Sequence, residues 1–309
     1  MLKKLINKSI LAAFLTCSMG ASQAAIIGLN LIEDGDDPTS EITDVLVGDG
    51  VTLVSDSSAF IGRVGDGVDA NTAQSAIFDG LNIFGGPTLG PGVFLTSGVA
   101  NIPDSNTDSS FDHGSVGILS PGTGSDADLS NILLEASAPS SVTNDVNIIE
   151  FDFTLDDDSF NAVSFNFVFG SDEFPDQGVT DVFGVFVDGK NFAFFEDGSL
   201  VSFVEGSNAS NFNDNTGNDF NIEYDGFSDV LTLVGLVNPD FDTHTIKIAI
   251  ADTGDSIYDS GVFISNLIGF ESDDDDGGVT PNPVSTPSGV LLVGLGLMTL
   301  YFRKRRLNK

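Results

Sequence analysis

The chain has few of the residues on which many enzymes and metal centres depend. Its 309 residues include no Trp, one Cys, two His, and 11 Lys and Arg together. The single Cys17 excludes an internal disulfide, so stability must come from a buried core. Scarce His removes most candidate general bases, and the absence of Trp removes a common platform for sugar rings. We therefore expect no enzymatic activity.

Basic residues are scarcest where acidic residues are concentrated. All 46 Asp and Glu lie between Glu33 and Asp276, with only Arg63, Lys190 and Lys247 in the same stretch. With 3 basic and 46 acidic residues, this body has a formal balance of −43. Such a charge repels nucleic-acid phosphates and anionic lipid and attracts divalent cations, so we expect no nucleic-acid partner. The alternative role for most of these carboxylates is a solvated coat that keeps the protein soluble.

Residues 1–24 have the three parts of a secretory signal peptide. Basic residues come first, an apolar centre follows at 10–15, and Ser22 and Ala24 form a small-x-small cleavage site. We expect cleavage after Ala24. Cys17 leaves a lipoprotein as the alternative, although residues 14–16 lack the usual lipobox pattern.

The C-terminus has a second tripartite signal. Residues 273–288 form an acidic, then Pro/Ser/Thr-rich linker, and residues 289–309 contain an apolar stretch followed by a basic cluster. The apolar stretch 289–302 is shorter than the ~20 residues that span a bilayer. The basic cluster would keep the end on the cytoplasmic side. This pattern indicates a removable sorting signal, with a retained one-pass anchor as the alternative.

This tail resembles the PEP-CTERM sorting domain, which exosortase recognises in Gram-negative bacteria. The short motif lacks the Pro-Glu-Pro form and is similar to the V-x-x-P-S variant. The residues that carry the resemblance are Val284, Pro287, Ser288, Arg303, Lys304, Arg305 and Arg306. The resemblance implies an exosortase-type partner, a transient inner-membrane intermediate, and delivery to the cell surface or the extracellular matrix.

The body, residues 25–272, has the pattern of an all-β domain. Phe151 and Phe153 flank Asp152, and similar period-two alternation recurs at 162–169 and 181–187. Joined by short turns, these runs predict an antiparallel meander. With further short strands predicted at 191–195, 200–204, 220–224, 230–237, 243–251 and 262–270, they predict a jelly-roll-like β-sandwich. Two short helices are predicted, at 71–84 and 124–135, the second capped by Asp126.

A second resemblance covers about residues 45–271. Its blocks include V-F-L-T-S-G-V-A-N, G-S-D-A-D-L, F-V-F-G-S-D-E-F-P-D and I-A-I-A-D-T-G-D-S-I-Y-D-S-G-V-F-I. In order and spacing these blocks are similar to the choice-of-anchor L domain. The resemblance implies an architecture and a surface location, and it implies no catalytic activity.

Two short acidic segments are the strongest candidate site. Residues 172–176 read D-E-F-P-D, and residues 252–259 read D-T-G-D-S-I-Y-D between two predicted strands. Calcium takes roughly six to eight oxygen ligands at about 2.3–2.6 Å. If the two segments meet, we expect a structural Ca²⁺ site formed by Asp172, Glu173, Asp176, Asp252, Asp255 and Asp259. The alternative is a pair of separate, solvated turns whose Asp side chains cap backbone amides.

These features together predict an exported, non-enzymatic structural or adhesive protein of the extracellular polymer, stabilised by calcium. The first alternative is a carbohydrate-binding module that uses an exposed Phe174 or Tyr258 against extracellular polysaccharide. The second is a secreted hydrolase in which Asp172 or Glu173 pairs with Asp255 as two catalytic carboxylates.

Overall fold

The computed structural model describes residues 25–66, 72–107, 122–178, 181–273 and 277–281. Among these residues, no helix is both long and apolar enough to cross a membrane. The predicted cleavage and sorting residues lie outside the described ranges and stay predictions: Ser22, Ala24, Val284, Pro287, Ser288, Arg303, Lys304, Arg305 and Arg306.

Strands are the main regular secondary structure of the described chain. In chain order they are β1 (Ile26–Ile27), β2 (Asn30–Leu31), β3 (Val51–Leu53), β4 (Ala59–Ile61), β5 (Ser75–Phe78), β6 (Gly80–Asn82), β7 (Thr88–Leu89), β8 (Gly92–Thr96), β9 (Thr143–Leu155), β10 (Ala162–Ser171), β11 (Val182–Val187), β12 (Lys190–Asn191), β13 (Asn213–Asp214), β14 (Gly226–Phe227), β15 (Leu231–Leu236), β16 (His244–Thr253), β17 (Ser260–Phe270) and β18 (Gly278–Pro281). The helices are α1 (Pro38–Leu46), α2 (Ala127–Glu135) and a 3₁₀ turn at Ala209–Asn211.

The strands form two large antiparallel sheets. A nine-stranded sheet runs β13-β14-β10-β17-β8-β5-β2, with β15 also beside β10 and β18 beside β15. A six-stranded sheet runs β12-β11-β16-β9-β3, with β4 also beside β9. A smaller three-stranded sheet has the order β1-β6-β7. The predicted all-β sandwich is confirmed.

The main core lies between the two large sheets. Phe151 of β9 and Phe165 of β10 belong to one buried apolar cluster, although their strands lie in different sheets. The rings of Phe167 and Phe183 meet across the interface with centroids 5.4 Å apart. Because a fully buried Phe stabilises a fold by roughly 1.5–3 kcal/mol, these period-two positions hold the sandwich together.

The predicted meander is wrong, because the three alternating runs do not pair with one another. Strand β9 pairs with β16, and β11 also pairs with β16, whereas β10 pairs with β15 and β17. Consecutive long strands therefore alternate between the two sheets. Because Phe151, Phe165 and Phe183 from these three strands belong to one core cluster, consecutive strands pack face to face across the core instead of side by side.

One predicted helix is wrong and another is confirmed. Residues 71–84 contain β5 and β6 instead of a helix, because Ala76 and Phe78 are buried in a ladder with β8. The helix predicted at 124–135 is α2, which begins after Asp126 as expected. Helix α1 was not predicted. It begins after Asp37, whose carboxylate accepts a hydrogen bond from the Ser40 N–H.

The remaining differences concern shorter segments. Residues 200–204 and 220–224, predicted as strands, are irregular apart from isolated bridges at Leu200 and Val201. Strand β18 lies in the stretch predicted as linker, where Val279 is buried against the sandwich. The chain beyond residue 272 therefore still contributes a strand to the nine-stranded sheet.

Candidate functional site: a buried acidic pole

The ends of several long strands meet at one pole of the sandwich. In the nine-stranded sheet, the end of β10 at Ser171 lies opposite the start of β17 at Ser260. In the six-stranded sheet, the end of β16 at Thr253 lies opposite the start of β9 at Thr143. Loops from both sheets therefore converge here. We call the carboxylates of this region the acidic pole: Asp145, Asp172, Glu173, Asp181, Glu223, Asp252, Asp255 and Asp259.

The structure brings the two predicted acidic segments together. The Asp172 N–H donates a hydrogen bond to the Asp259 carbonyl at 3.2 Å. Glu173 lies near enough to Asp255, Asp252 and Asp259 for their charges to act on its carboxyl group. Five of the six predicted ligands thus lie in the acidic pole, with Asp255 partly exposed at its margin.

Asp176 does not join the other five. Its side chain is exposed, and its carboxylate accepts a hydrogen bond from the neighbouring Gln177 amide at 3.4 Å. It lies beyond Phe174, which packs inward and turns the rest of the loop toward solvent.

Sequence reasoning missed three carboxylates of the acidic pole, namely Asp145, Asp181 and Glu223, each 1–2% exposed. Asp145 is the third residue of β9, and Asp181 directly precedes β11. A signal for these two was available, since both strands begin at the end of the sandwich where β10 and β16 finish. Glu223 had no comparable signal, because its segment was predicted to be a strand.

The buried carboxylates have few hydrogen-bond donors. Both oxygens of Glu173, which is fully buried, accept no hydrogen bond. The same holds for Asp181 and Asp252. The Ser260 and Ser97 hydroxyls lie beside them, but donate instead to Ser171 Oγ at 2.8 Å and to the Ser260 carbonyl at 3.3 Å.

Positive charge is also missing from this part of the described structure. None of the described Lys, Arg or His side chains forms an ion pair with Glu173, Asp181 or Asp252. Lys247, which is buried, pairs instead with Asp126 at 2.6 Å and Asp128 at 2.8 Å. An ionised carboxylate buried without a partner costs several kcal/mol, so the acidic pole must be neutralised by bound protons or bound cations.

Burial without positive charge raises the pKa values of several carboxyl groups in the acidic pole. Burial, then the charges of Asp255, Asp252 and Asp259, raises the pKa of Glu173 to about 9. Burial and the nearby Asp145 raise the pKa of Asp259 to about 8. Without a cation, the acidic pole therefore retains protons at neutral pH.

Three further carboxyl groups are perturbed in the same direction. Burial raises the pKa of Asp172, Asp181 and Asp252 well above the usual range. The next largest cause in each case is a neighbouring carboxylate: Glu223 for Asp172, Glu173 for Asp181, and Asp181 for Asp252.

The chemistry of the acidic pole suits a hard cation. Its ligands are oxygens, as calcium prefers, and it lacks the His and Cys ligands typical of zinc within the described residues. As the side chains stand, no three acidic, His or Cys side chains of the described chain are arranged to hold one ion. Binding would therefore require the carboxylates to rotate inward.

Comparison with known proteins identifies the family to which this chain belongs. The family model of the Choice-of-anchor L domain matches residues 33–267, which include the whole acidic pole. This chain belongs to the choice-of-anchor L family. The family indicates a surface-associated, exported protein. Searches of curated proteins and of solved structures find no match to this choice-of-anchor L protein.

The aromatic residues expected at a glycan site are arranged differently from the prediction. Phe174 was expected to be exposed, which is wrong. It is 6% exposed and packs on Phe203 and Phe212, with ring centroids at 5.3 and 5.9 Å. Tyr258 is partly exposed. A separate cavity of about 450 Å³ lies beside α2, lined by apolar and Ser side chains such as Ile132, Leu200 and Ser202.

Proposed function

We propose that this choice-of-anchor L protein is a non-enzymatic structural or adhesive component of the cell surface or extracellular polymer, and that calcium completes its fold. The observation that carries the proposal is Glu173, a fully buried carboxylate without a hydrogen bond that faces Asp252, Asp255 and Asp259.

Calcium would resolve the electrostatic problem of the acidic pole. A divalent cation neutralises ionised carboxylates and gives their oxygens a partner, which buried protons alone do not provide for Glu173. Extracellular calcium modules bind with dissociation constants of roughly 10⁻⁴–10⁻³ M, which suits a protein exported from the cytoplasm. The predicted signal peptide and exosortase-type tail support that destination.

Burial also supports a structural role over catalysis. Asp172, Glu173 and Asp252 are each at most 2% exposed, so a substrate cannot reach them without opening of the loops. A hydrolase would need its two carboxylates beside the scissile bond. The carbohydrate-binding alternative loses Phe174 as a stacking surface, since that ring is buried. A glycan array with and without calcium would detect such a module.

Calcium titration of the chelator-treated full chain tests the proposal. At 100 times the dissociation constant, binding to the folded state adds about 2.7 kcal/mol. We expect Tm to rise by roughly 5–10 °C with CaCl₂, because each kcal/mol shifts a protein of this size by about 2–4 °C. Matched ionic strength in KCl should produce a smaller rise. An unchanged Tm together with no heat of binding in calorimetry would contradict the proposal.

A further inference from the structure

The cavity beside α2 is a second candidate site, and none of the carboxylates of the acidic pole lines it. We infer that this cavity binds a small organic cation, namely a primary ammonium group on a compact, ring-sized body. A free cyclic amine and the amino sugar of a polymer both have this chemistry. The inference is independent of the proposed calcium function, because it rests on the walls, the floor and the charge of this cavity.

Two segments form the walls of the cavity. One is the end of α2 with the turn after it, residues 135–139, and the other belongs to the stretch 198–207. The Ala138 N–H donates to the Leu133 carbonyl at 3.0 Å and fixes the turn. The Asn208 side chain donates to a carbonyl of the second wall at 2.7 Å. The cavity is therefore preformed, and its volume of about 450 Å³ lies within the range of roughly 300–1,000 Å³ for ligand pockets.

The floor of the cavity is apolar. Ile132 and Leu200 are 9% and 6% exposed and belong to one buried cluster. Phe194 packs against that cluster and also lines the cavity. A ring-sized ligand would cover these side chains and remove apolar surface from water. An aromatic ring also attracts a cation over its face, which favours an ammonium group near Phe194.

A buried hydroxyl provides a polar contact in the same floor. Ser202 is 1% exposed and lines the cavity. Its Oγ donates to the Leu200 carbonyl at 3.4 Å, which is longer than a usual hydrogen bond between oxygens. Because a hydroxyl oxygen has two lone pairs, Ser202 Oγ can accept a hydrogen bond from a ligand N–H. This contact favours a ligand that donates.

The mouth of the cavity is negatively charged. Glu135 lines it, and the exposed Asp197 and Glu205 each adjoin a lining residue in the chain. Among the described residues that line the cavity, none is Lys, Arg or His. Helix α2 ends here without a basic residue in its last turn, so the negative end of its dipole adds to this charge. The mouth therefore favours an ammonium group over a neutral or anionic one.

Charge alone would not make this site selective, since the whole acidic body attracts cations. The cavity differs from the solvated carboxylates elsewhere because it combines negative charge with an apolar floor. A cyclic amine can use both features, whereas the ammonium ion can use only the charge. We therefore expect the cavity to prefer cyclohexylamine over ammonium chloride at equal ionic strength.

Titration of the full chain with matched probes tests the inference. The probes are cyclohexylamine and glucosamine, with cyclohexanol and glucose as their neutral counterparts, all in saturating calcium. Dissociation constants come from ligand-observed NMR. We expect at least one amine to bind, and its neutral counterpart to bind about tenfold more weakly, because hydrogen bonds to charged groups are the stronger ones. The amine that binds distinguishes a free amine from an amino sugar as the source.

Two variants place the binding in the cavity. Glu135→Gln removes the carboxylate at the mouth and should weaken amine binding severalfold. Ala136→Trp puts a large side chain at the mouth, where Ala136 is exposed, and should block the amine altogether. Asp176→Asn is the control, because it removes an exposed carboxylate outside the cavity and should leave the affinity unchanged.

Three results would overturn the inference. The first is equal affinity for an amine and its neutral counterpart, and the second is binding of none of the four probes. The third is amine binding that neither Glu135→Gln nor Ala136→Trp reduces, since such binding belongs to the acidic surface as a whole. If Ala136→Trp does not unfold cooperatively, Glu135→Gln decides alone. None of these results bears on the calcium proposal, which is tested without amines.

Discussion

At the scale of single residues, the burial of Glu173 follows from the residue after it. Phe174 packs into a cluster with Phe203 and Phe212, which draws the loop that follows β10 against the sandwich. The Glu173 N–H donates to Ser171 Oγ at 3.1 Å and holds the start of the loop. A hydrophobic anchor thus places a carboxylate where water cannot solvate it, and the raised pKa is the result.

Stability of the calcium-free protein should fall as pH rises from about 4.5 to about 9. The pKa of Glu173 is raised from 4.5 to about 9 on folding, so in this window the folded state binds more protons than the unfolded state. The contribution is fully present below pH 4.5 and is lost as pH rises through the folded value. Urea unfolding at several pH values in chelator measures it.

Two variants measure how much Glu173 contributes to this pH dependence of stability. Glu173→Gln cannot ionise, so its stability should depend less steeply on pH than that of the unmodified protein. Asp176→Asn, which changes an exposed carboxylate of the same loop, should leave the slope unchanged. Equal slopes in all three proteins would show that Glu173 is not the buried acid responsible. Saturating calcium should reverse the trend, because calcium requires ionised carboxylates.

At the scale of secondary-structure elements, one lysine joins α2 to the six-stranded sheet. Lys247 projects from β16 and donates to Asp126 and Asp128 at the start of α2. Asp126 also caps the helix by accepting hydrogen bonds from the Asp128 and Leu129 N–H groups. The capping residue is therefore also the attachment point of the helix, which explains why α2 forms where its local signals predicted it.

Replacing this lysine should destabilise the protein by about 1.5–3 kcal/mol, the range for hydrogen bonds to charged groups. Lys247→Met retains most of the aliphatic stem and removes the ammonium, leaving the Asp126 carboxylate partly buried without its cation. Lys190→Met is the matched control, since Lys190 is exposed and its ammonium lies over the ring of Phe192, 4.6 Å from the ring centroid. That change should stay within about 0.5 kcal/mol. Equal losses in denaturant unfolding would contradict the attachment role.

At the scale of the whole molecule, charge is divided between the body and the two ends. The full chain has a net charge of −35, and its basic residues outside the acidic body lie at 3–8 and 303–309. Removal of both predicted signals would leave a mature body with a formal balance of −43. Export would thus convert the protein into a strongly anionic one in a compartment where divalent cations and salt can screen it.

Mass spectrometry of the native protein checks this processing. We expect the mature form to begin at Ala25 and to end near Pro287, because the predicted cleavage sites lie at these positions. Replacing Arg303–Arg306 with Ser should leave an unprocessed, membrane-associated form. A native C-terminus at Lys309 would instead indicate a retained anchor.

The local sequence pattern was sufficient to predict many of the secondary-structure elements. Period-two alternation identified β9, β10 and β11, because the alternation of faces is a property of each strand by itself. Short runs separated by turn signals identified β15, β16 and β17. Capping chemistry likewise identified α2. The same reasoning failed at residues 71–84, which contain two short strands. The pairing of β5 with β8, and of β6 with β1 and β7, outweighed the local helical spacing.

Sequence alone determined that this is an acidic, Phe-rich, all-β protein with two acidic segments, since composition and periodicity are local properties. Only the tertiary structure decided which strands pair, since pairing depends on contacts between residues far apart in the chain. It also decided that Asp145, Asp181 and Glu223 join the acidic pole and that Asp176 does not. A carboxylate is buried or solvated according to what packs over it, and here those side chains come from both sheets.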